Sequence, residues 1–166
     1  MSFSVEGKQS TFSVDIKAFA EQAMASIEHA KQVVAINIFS DVIFTTPVGN
    51  PKIWLYKHPQ DGYVDFLLYR DRPKGYVGGA LRGNWRTSVR DPELTPTDRI
   101  DANGSATKKE MESVVNTSTG DDTIYMTNNL PYALRVENGW SQQAPTGMVG
   151  LAIQGFQDEV AKAAKR

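Results

Sequence analysis

Ser13-VDIKAFAEQAMASIEHAKQVVAINIFSDVIFTT-Pro47 is the stretch whose reading decides the fold. Ile16, Ala20, Ala23, Ile27, Ala30, Val34, Ile38 and Val42 recur at steps of three or four, with Glu21, Gln22, Glu28, Lys31 and Gln32 on the other side. That spacing predicts one long amphipathic helix. Ser13 is a candidate N-cap, and Asp15 suits the helix dipole in the first turn. From Val33 a second apolar set (Val33, Ile36, Phe39, Ile43) fills the opposite flank, so the second half is expected to be buried nearly all round. The first half is expected to be buried on one side only. About 30 residues at roughly 1.5 Å each give about 45 Å, long against an expected radius of gyration of about 15 Å. Part of the helix is therefore expected to project or to lie on a neighbour. Pro47 ends it, because it disfavours helical geometry at Thr46 and donates no backbone hydrogen bond.

Outward from the helix, residues 1–12 are polar and aperiodic and read as a flexible N-terminal arm. Residues 13–166 read as a single α+β domain with an inserted loop at 49–78. That loop mixes Pro51, Pro59, Pro73, Gly49, Gly62 and Gly75 with Trp54, Tyr56, Tyr63, Phe66, Tyr69 and Tyr76, and Tyr63 to Tyr69 is its best strand candidate. Ala80-Leu81-Arg82 predicts a single helical turn. A strand follows over 84–90, whose Trp85 should enter the core. Thr107 and Glu110 fit a capping box for a short helix that buries Met111, Val114 and Val115. Thr123 to Asn128 reads as a second strand, and Pro131 suits the first turn of a short helix over 132–138 closed by Gly139. Thr146 is a candidate cap for a C-terminal helix with Val149, Ile153, Phe156 and Val160 on its buried face. The expected architecture is a long N-terminal helix packed on a small, mostly antiparallel sheet, with short helices and a C-terminal helix.

Composition narrows the function. Eighteen basic against nineteen acidic residues give a net charge of -1, so no overall field holds this protein on nucleic acid or an anionic membrane. The absence of cysteine excludes disulfides, thiol nucleophiles and zinc knuckles. The start lacks a basic n-region and an apolar run, and no stretch approaches the roughly 20 apolar residues of a membrane span, so a soluble, unexported protein is expected.

No catalytic, cofactor-binding or metal-binding set emerges. His29 and His58 have no second ligand at a useful spacing. His58-Pro59-Gln60-Asp61 lacks a nucleophile signature and reads as a turn. Gly75, Gly78, Gly79 and Gly83 lack the lysine and buried strand of a phosphate loop, and backbone flexibility accounts for them better. Asp98/Asp101 and Asp121-Asp122 lie in polar loops where ionised, hydrated carboxylates cost nothing. Arg70, Arg72, Lys74, Arg82, Arg86 and Arg90, with Tyr69, Tyr76 and Trp85 nearby, raise a nucleic-acid surface, which Asp65, Asp71 and Asp91 dilute. Trp54 and Trp140 sit among Gly, Pro and polar residues, a setting that marks protein contacts. The candidate interaction residues are Trp54, Tyr56, His58, Tyr76, Arg82 and Trp140.

Five pieces stand in a recognisable order. They are the long helix ending in Thr45-Thr46-Pro47-Val48, Gly79-Ala80-Leu81-Arg82-Gly83-Asn84-Trp85, Thr127-Asn128-Asn129-Leu130-Pro131-Tyr132-Ala133, Val136-Glu137-Asn138-Gly139-Trp140, and Gln143-Ala144-Pro145-Thr146-Gly147-Met148-Val149 before the last helix. This order resembles the minor tail or neck (head-tail joining) proteins of long-tailed bacteriophages over most of residues 15–160. That family reads T-P-V-D-T-G-x-L-R, with proline and glycine a few residues apart, then Y-A-x-x-x-E-x-G. This chain departs from it by the insertion at 49–78. The resemblance implies a non-enzymatic virion protein without cofactor, assembled in the host bacterial cytoplasm. It implies a homo-oligomeric ring, hexameric by expectation, between portal-side connector and tail proteins. DNA would pass through its channel without sequence-specific binding. A tail terminator ring capping the tail tube is the alternative within this class, and a small DNA-binding or DNA-processing protein is the alternative outside it. Ring symmetry would also give the overlong helix a neighbour to lie on.

Overall fold

Between residues 9 and 46 no proline or glycine interrupts the chain, and the computed structural model accordingly carries one helix, α1, over Gln9–Thr45. The structure describes residues 9–49, 77–156 and 160–161, with side chains from residue 16 onward. Ser13 lies inside α1 rather than capping it, so residues 9–12 of the expected arm are helical. The strand expected at Tyr63 to Tyr69 falls outside the described residues.

After α1 come α2 (Ala80–Gly83), β1 (Arg86–Val89), α3 (Ser105–Val115), β2 (Ile124–Thr127), α4 (Ala133–Arg135), a π-type turn (Val136–Trp140) and α5 (Val149–Gln154). Among the described residues the sheet has two antiparallel strands, with Arg86 opposite Thr127 and Val89 opposite Ile124. The fold is α+β. Its core gathers Val42 and Ile43 of α1, Leu81 and Trp85, Met111 and Val115 of α3, and Ala133, Val136, Ala144, Met148 and Ala152. Trp85 enters that core at 6% exposure, and Met111 and Val115 are fully enclosed, as periodicity predicts.

One knot holds the end of α1 to the middle of the chain. Thr46 Oγ1 donates to the Val42 carbonyl at 2.6 Å and accepts from Trp85 Nε1 at 2.7 Å. The Thr46 carbonyl accepts from Arg82 Nη2 at 2.7 Å and Nε at 3.2 Å, and Arg82 also reaches the Phe44 and Ala102 carbonyls. A guanidinium on the last carbonyls of α1 also complements the negative end of the helix dipole.

Close packing adds to backbone freedom in explaining the glycines here, and Gly79 also sits at φ 97°. A Cβ on Gly79 would lie 2.5 Å from Ala102 N, and one on Gly83 would lie 2.3 Å from the Arg99 carbonyl. Residues 99–102 therefore press directly on α2. Arg99 fastens them, bonding the Gly83 and Trp85 carbonyls and pairing with Glu110.

Asp101, expected to be hydrated, is buried and does the capping assigned to Thr107 and Glu110. Its carboxylate accepts from Gly104 N at 2.9 Å and from the backbone and hydroxyl of Thr107 at 2.8 Å each. Gly104 precedes α3 at φ 79°, a left-handed conformation that lets the chain fold back onto that carboxylate. Thr107 is thus inside α3, and Glu110 is drawn to Arg99 and Arg86.

Trp85→Ala should cost about 3–5 kcal/mol through the cavity it leaves. Trp85→Phe should keep most of the packing and lose about 1–3 kcal/mol, because it deprives the buried Thr46 hydroxyl of a donor. Urea denaturation of both variants checks the ordering, and equal losses would contradict the hydrogen-bonded knot.

Candidate functional site

The insertion begins and ends at one place. A Cβ on Gly78 would lie 2.3 Å from the Gly49 carbonyl and 2.9 Å from Val48 Cγ1, so the two ends of the loop are in backbone contact. Gly78 can make this approach because it has no side chain and sits at φ 74°. The Thr46-Pro47-Val48 and Gly79-x-Leu81-Arg82 pieces are therefore adjacent in space despite their separation in sequence. Trp54, Tyr56, His58 and Tyr76 lie outside the described residues.

Arg82, a candidate interaction residue, spends its guanidinium on chain carbonyls in the knot. Burial lowers its pKa against the opposing pull of Asp101. The neighbouring arginines are engaged as well: Arg86 and Arg99 pair with Glu110, and Arg90 with Asp122 at 2.8 Å. Arg82 and Arg99 are thus internal ties, Arg86 faces Glu110 at 3.8 Å and Arg90 forms an exposed surface pair, while Arg70, Arg72 and Lys74 lie outside the described residues.

Trp140 is the candidate that faces solvent. It is 72% exposed, with the Arg135 guanidinium 4.7 Å from its ring centroid, a stacked cation–π pair. Leu134 is equally exposed, and with Pro131, Asn138 and Gly139 these residues frame a shallow concavity of about 510 Å³. Trp, Arg and Leu presented together in the open have the composition of an interface anchor. Leu134 was missed in the sequence, though a signal existed. Ala133 and Val136 at i and i+3 form the buried edge of this short helix, which leaves Leu134 on the far side.

The Trp140 loop is held from beneath. Gly139 turns the chain at φ 82°, as expected of a helix-closing glycine, and a Cβ there would lie 2.5 Å from the Pro145 carbonyl. The loop returns so that the Glu137 carboxylate accepts from the backbone of Met148, Val149 and Gly150 at 2.8, 3.0 and 3.0 Å. Glu137, not Thr146, caps α5. Of the expected buried face of the last helix, Val149 packs half-buried on the core, whereas Ile153, Phe156 and Val160 are exposed and Ala152 is enclosed instead.

The largest departure concerns α1. Its second half is less enclosed than expected, with Val42 and Ile43 buried but Val33, Val34, Ile36, Ile38 and Phe39 half-buried and Phe44 exposed, and in the first half Ile16, Phe19, Met24 and Ile27 are each more than half exposed. The apolar core partners of α1 reach only its second half, where Val42 and Ile43 are enclosed. Toward the first half the ties are polar: Lys31 Nζ bonds the Thr119, Gly120 and Asp122 carbonyls, Gln32 the Ser118 carbonyl, and Glu28 accepts from Gly120 N. Further along, Ala30, Val34, Ala35 and Ile38 floor an apolar groove of about 470 Å³ that also involves Ile27, Phe39, Ile124, Phe156 and Val160.

His29 is exposed, and among the described residues no group of three or more His, Asp or Glu side chains is placed to hold a metal ion. Among them, too, no helix is long and apolar enough to cross a membrane. What these surfaces offer chemically is apolar and cation–π contact. No family model, curated protein or solved structure matches this chain.

Three carboxylates link the scaffold to pH. Burial pushes Asp101 and Glu137 up, but the hydrogen bonds they accept outweigh it and hold both below the ordinary carboxylate range. Asp122 is held down to about 2 by the Thr119 N–H, the Arg90 guanidinium and the Thr119 hydroxyl. Because the folded values are depressed, the unfolded chain binds protons first. The stabilisation is complete above about pH 5 and is lost as pH falls through the folded values. The urea midpoint should hold steady from about pH 7 to 5 and drop below about pH 4. Glu137→Gln and Asp101→Asn should be less stable at neutral pH and show a flatter acid limb; a midpoint unchanged down to about pH 3 would contradict this account.

Proposed function

We propose that this chain is a structural subunit of a bacteriophage neck or tail joint, forming a ring that connects the portal-side connector to the tail around the DNA channel. The observation that carries the assembly reading is the apolar first half of α1, which has four large side chains in solvent. A 37-residue helix of about 55 Å outruns a domain of this size, and apolar patches of several hundred Å² on a folded surface mark association sites. The neck assignment itself comes from the resemblance of the ordered motifs.

Two structural facts support carrying that resemblance across the insertion. The contact of Gly49 with Gly78 makes the proline and leucine-arginine pieces spatial neighbours, as the family's short spacing requires. The Glu137 cap and the turn at Gly139 give the E-x-G piece a definite job beneath Trp140. The exposed Trp140, Leu134 and Arg135 supply a second surface for a neighbouring neck protein. The tail terminator remains the alternative ring. A DNA-binding role finds less support, because the arginines at 82, 86, 90 and 99 are engaged within the chain.

Reconstruction of purified virions tests the reading: a ring of this chain should occupy the neck or the end of the tail, and its absence from particles would end the proposal. Contact with the last tube ring would identify a terminator. Deleting Lys52 to Pro73 should leave a folded domain, since the loop's ends already meet, while blocking head-tail joining. Unfolding or aggregation of the deleted protein would show that the loop belongs to the core.

A further inference from the structure

The solvent-facing strip of α1 changes shape along its length. With about 3.6 residues per turn, Ile16, Phe19, Met24, Ile27, Val34 and Ile38 fall on one side of the helix. Over its first half the strip is a bare ridge, led by Phe19 at 74% exposure. Over its second half it floors the 470 Å³ groove, which Ile124 of β2 and Phe156 and Val160 beyond α5 complete.

We propose that the ridge of one copy, residues 16–27, lies in the groove of the next copy, head to tail. This rests on the ring reading, which supplies the head-to-tail repeat, and it names the contact that makes the ring. Ridge and groove share only Ile27, so one subunit can present both at once, and the ring reading selects head-to-tail over reciprocal pairing. Both surfaces are apolar except for Lys31 in the groove lining, whose ammonium is already bonded to the Thr119, Gly120 and Asp122 carbonyls, and a helical row of side chains fits lengthwise against a groove floored by a helix.

The ridge itself is sizeable: its four exposed side chains offer roughly 500 Å², about half the total of a specific interface. Each ring subunit would make two such contacts. A lipid surface fits less well, because it calls for basic flanks, whereas Lys17 pairs with Glu21 at 3.9 Å and Glu28 follows.

The chain has no cysteine, so introduced pairs report cleanly. Phe19→Cys is combined in turn with Ala30→Cys, Val34→Cys and Ile38→Cys in the full chain, and the concentrated proteins are oxidised. Even the nearest of these partners is about 16 Å away along the same helix, beyond the roughly 7 Å limit for a disulfide. Any bridge is therefore between copies. At least one double variant should give a ladder of cross-linked species ending in a closed ring. The single variants should give none, and a mixture of the two singles should stop at dimers. A double variant that stops at dimers would mean reciprocal pairing and would overturn the head-to-tail form. No product from any of the three pairs, with circular dichroism unchanged, would overturn the contact itself. Phe19→Glu is the control for folding: its melting temperature should match the parent while its oligomers disappear, and oligomers that persist would likewise overturn the proposal. A ladder from a chain absent from virions would leave this contact standing and remove the neck reading. A virion ring without the ladder would do the reverse.

Discussion

A single threonine side chain joins the two halves of this domain. The Thr46 hydroxyl turns back to close α1 on Val42 and at the same time receives the indole N–H of Trp85, while its carbonyl receives Arg82. All three groups are withdrawn from water to differing degrees, so each depends on the others for its hydrogen bonds. Once the knot is tied, the positions of α2 and β1 follow. Residues 99–102 can then press on Gly79 and Gly83, and Asp101 comes to rest where it organises the start of α3. The rest of the core is hung from this point, and the chain on either side of the insertion meets there.

Much of this was legible in the sequence wherever the deciding forces are local. The body and end of α1 follow from apolar spacing and from Pro47, whereas its start lies at Gln9 rather than at a Ser13 cap. The burial of Trp85, Met111 and Val115 follows from alternation and from the period of a short helix, and the left-handed turn at Gly139 follows from residue type. The caps were not legible, because capping rules look one turn away, whereas Glu137 reaches a helix start eleven residues on and Asp101 acts across a folded-back glycine turn. The glycines were legible only in part, for a similar reason. Positive φ at Gly78 and Gly79 follows from residue type, but the close approach of residues 99–102 to Gly79 and Gly83, and of Gly49 to Gly78, is made by the tertiary fold.

The exposed strip of α1 shows a different limit. Periodicity reports which face of a helix is apolar, but not whether its own domain has anything to put there. Among the described residues the sheet has two strands, and the apolar core gathers toward the C-terminal end of α1. The pattern is the same before and after Ile27, and the environments are not. Of the candidate interaction residues, Trp140 was readable from its polar, glycine-rich setting, whereas Arg82 looked equally available in sequence and is engaged inside the knot.

Continuity of the helix gives the exposed half its use. An isolated helix of fewer than about 12–15 residues is marginal in water, chiefly because its first turn is costly to nucleate. Residues 16–27 extend a helix already nucleated and packed at its other end, so they need only propagation to stay helical. Among the described residues they have few apolar partners, yet they hold the geometry in which Ile16, Phe19, Met24 and Ile27 line up. A partner meeting this ridge has less chain to order on contact, and pre-ordered surfaces associate more tightly for a given area. The packed half of α1 therefore serves two ends: it anchors the core through Val42, Ile43 and Thr46, and it presents an apolar ridge that faces solvent.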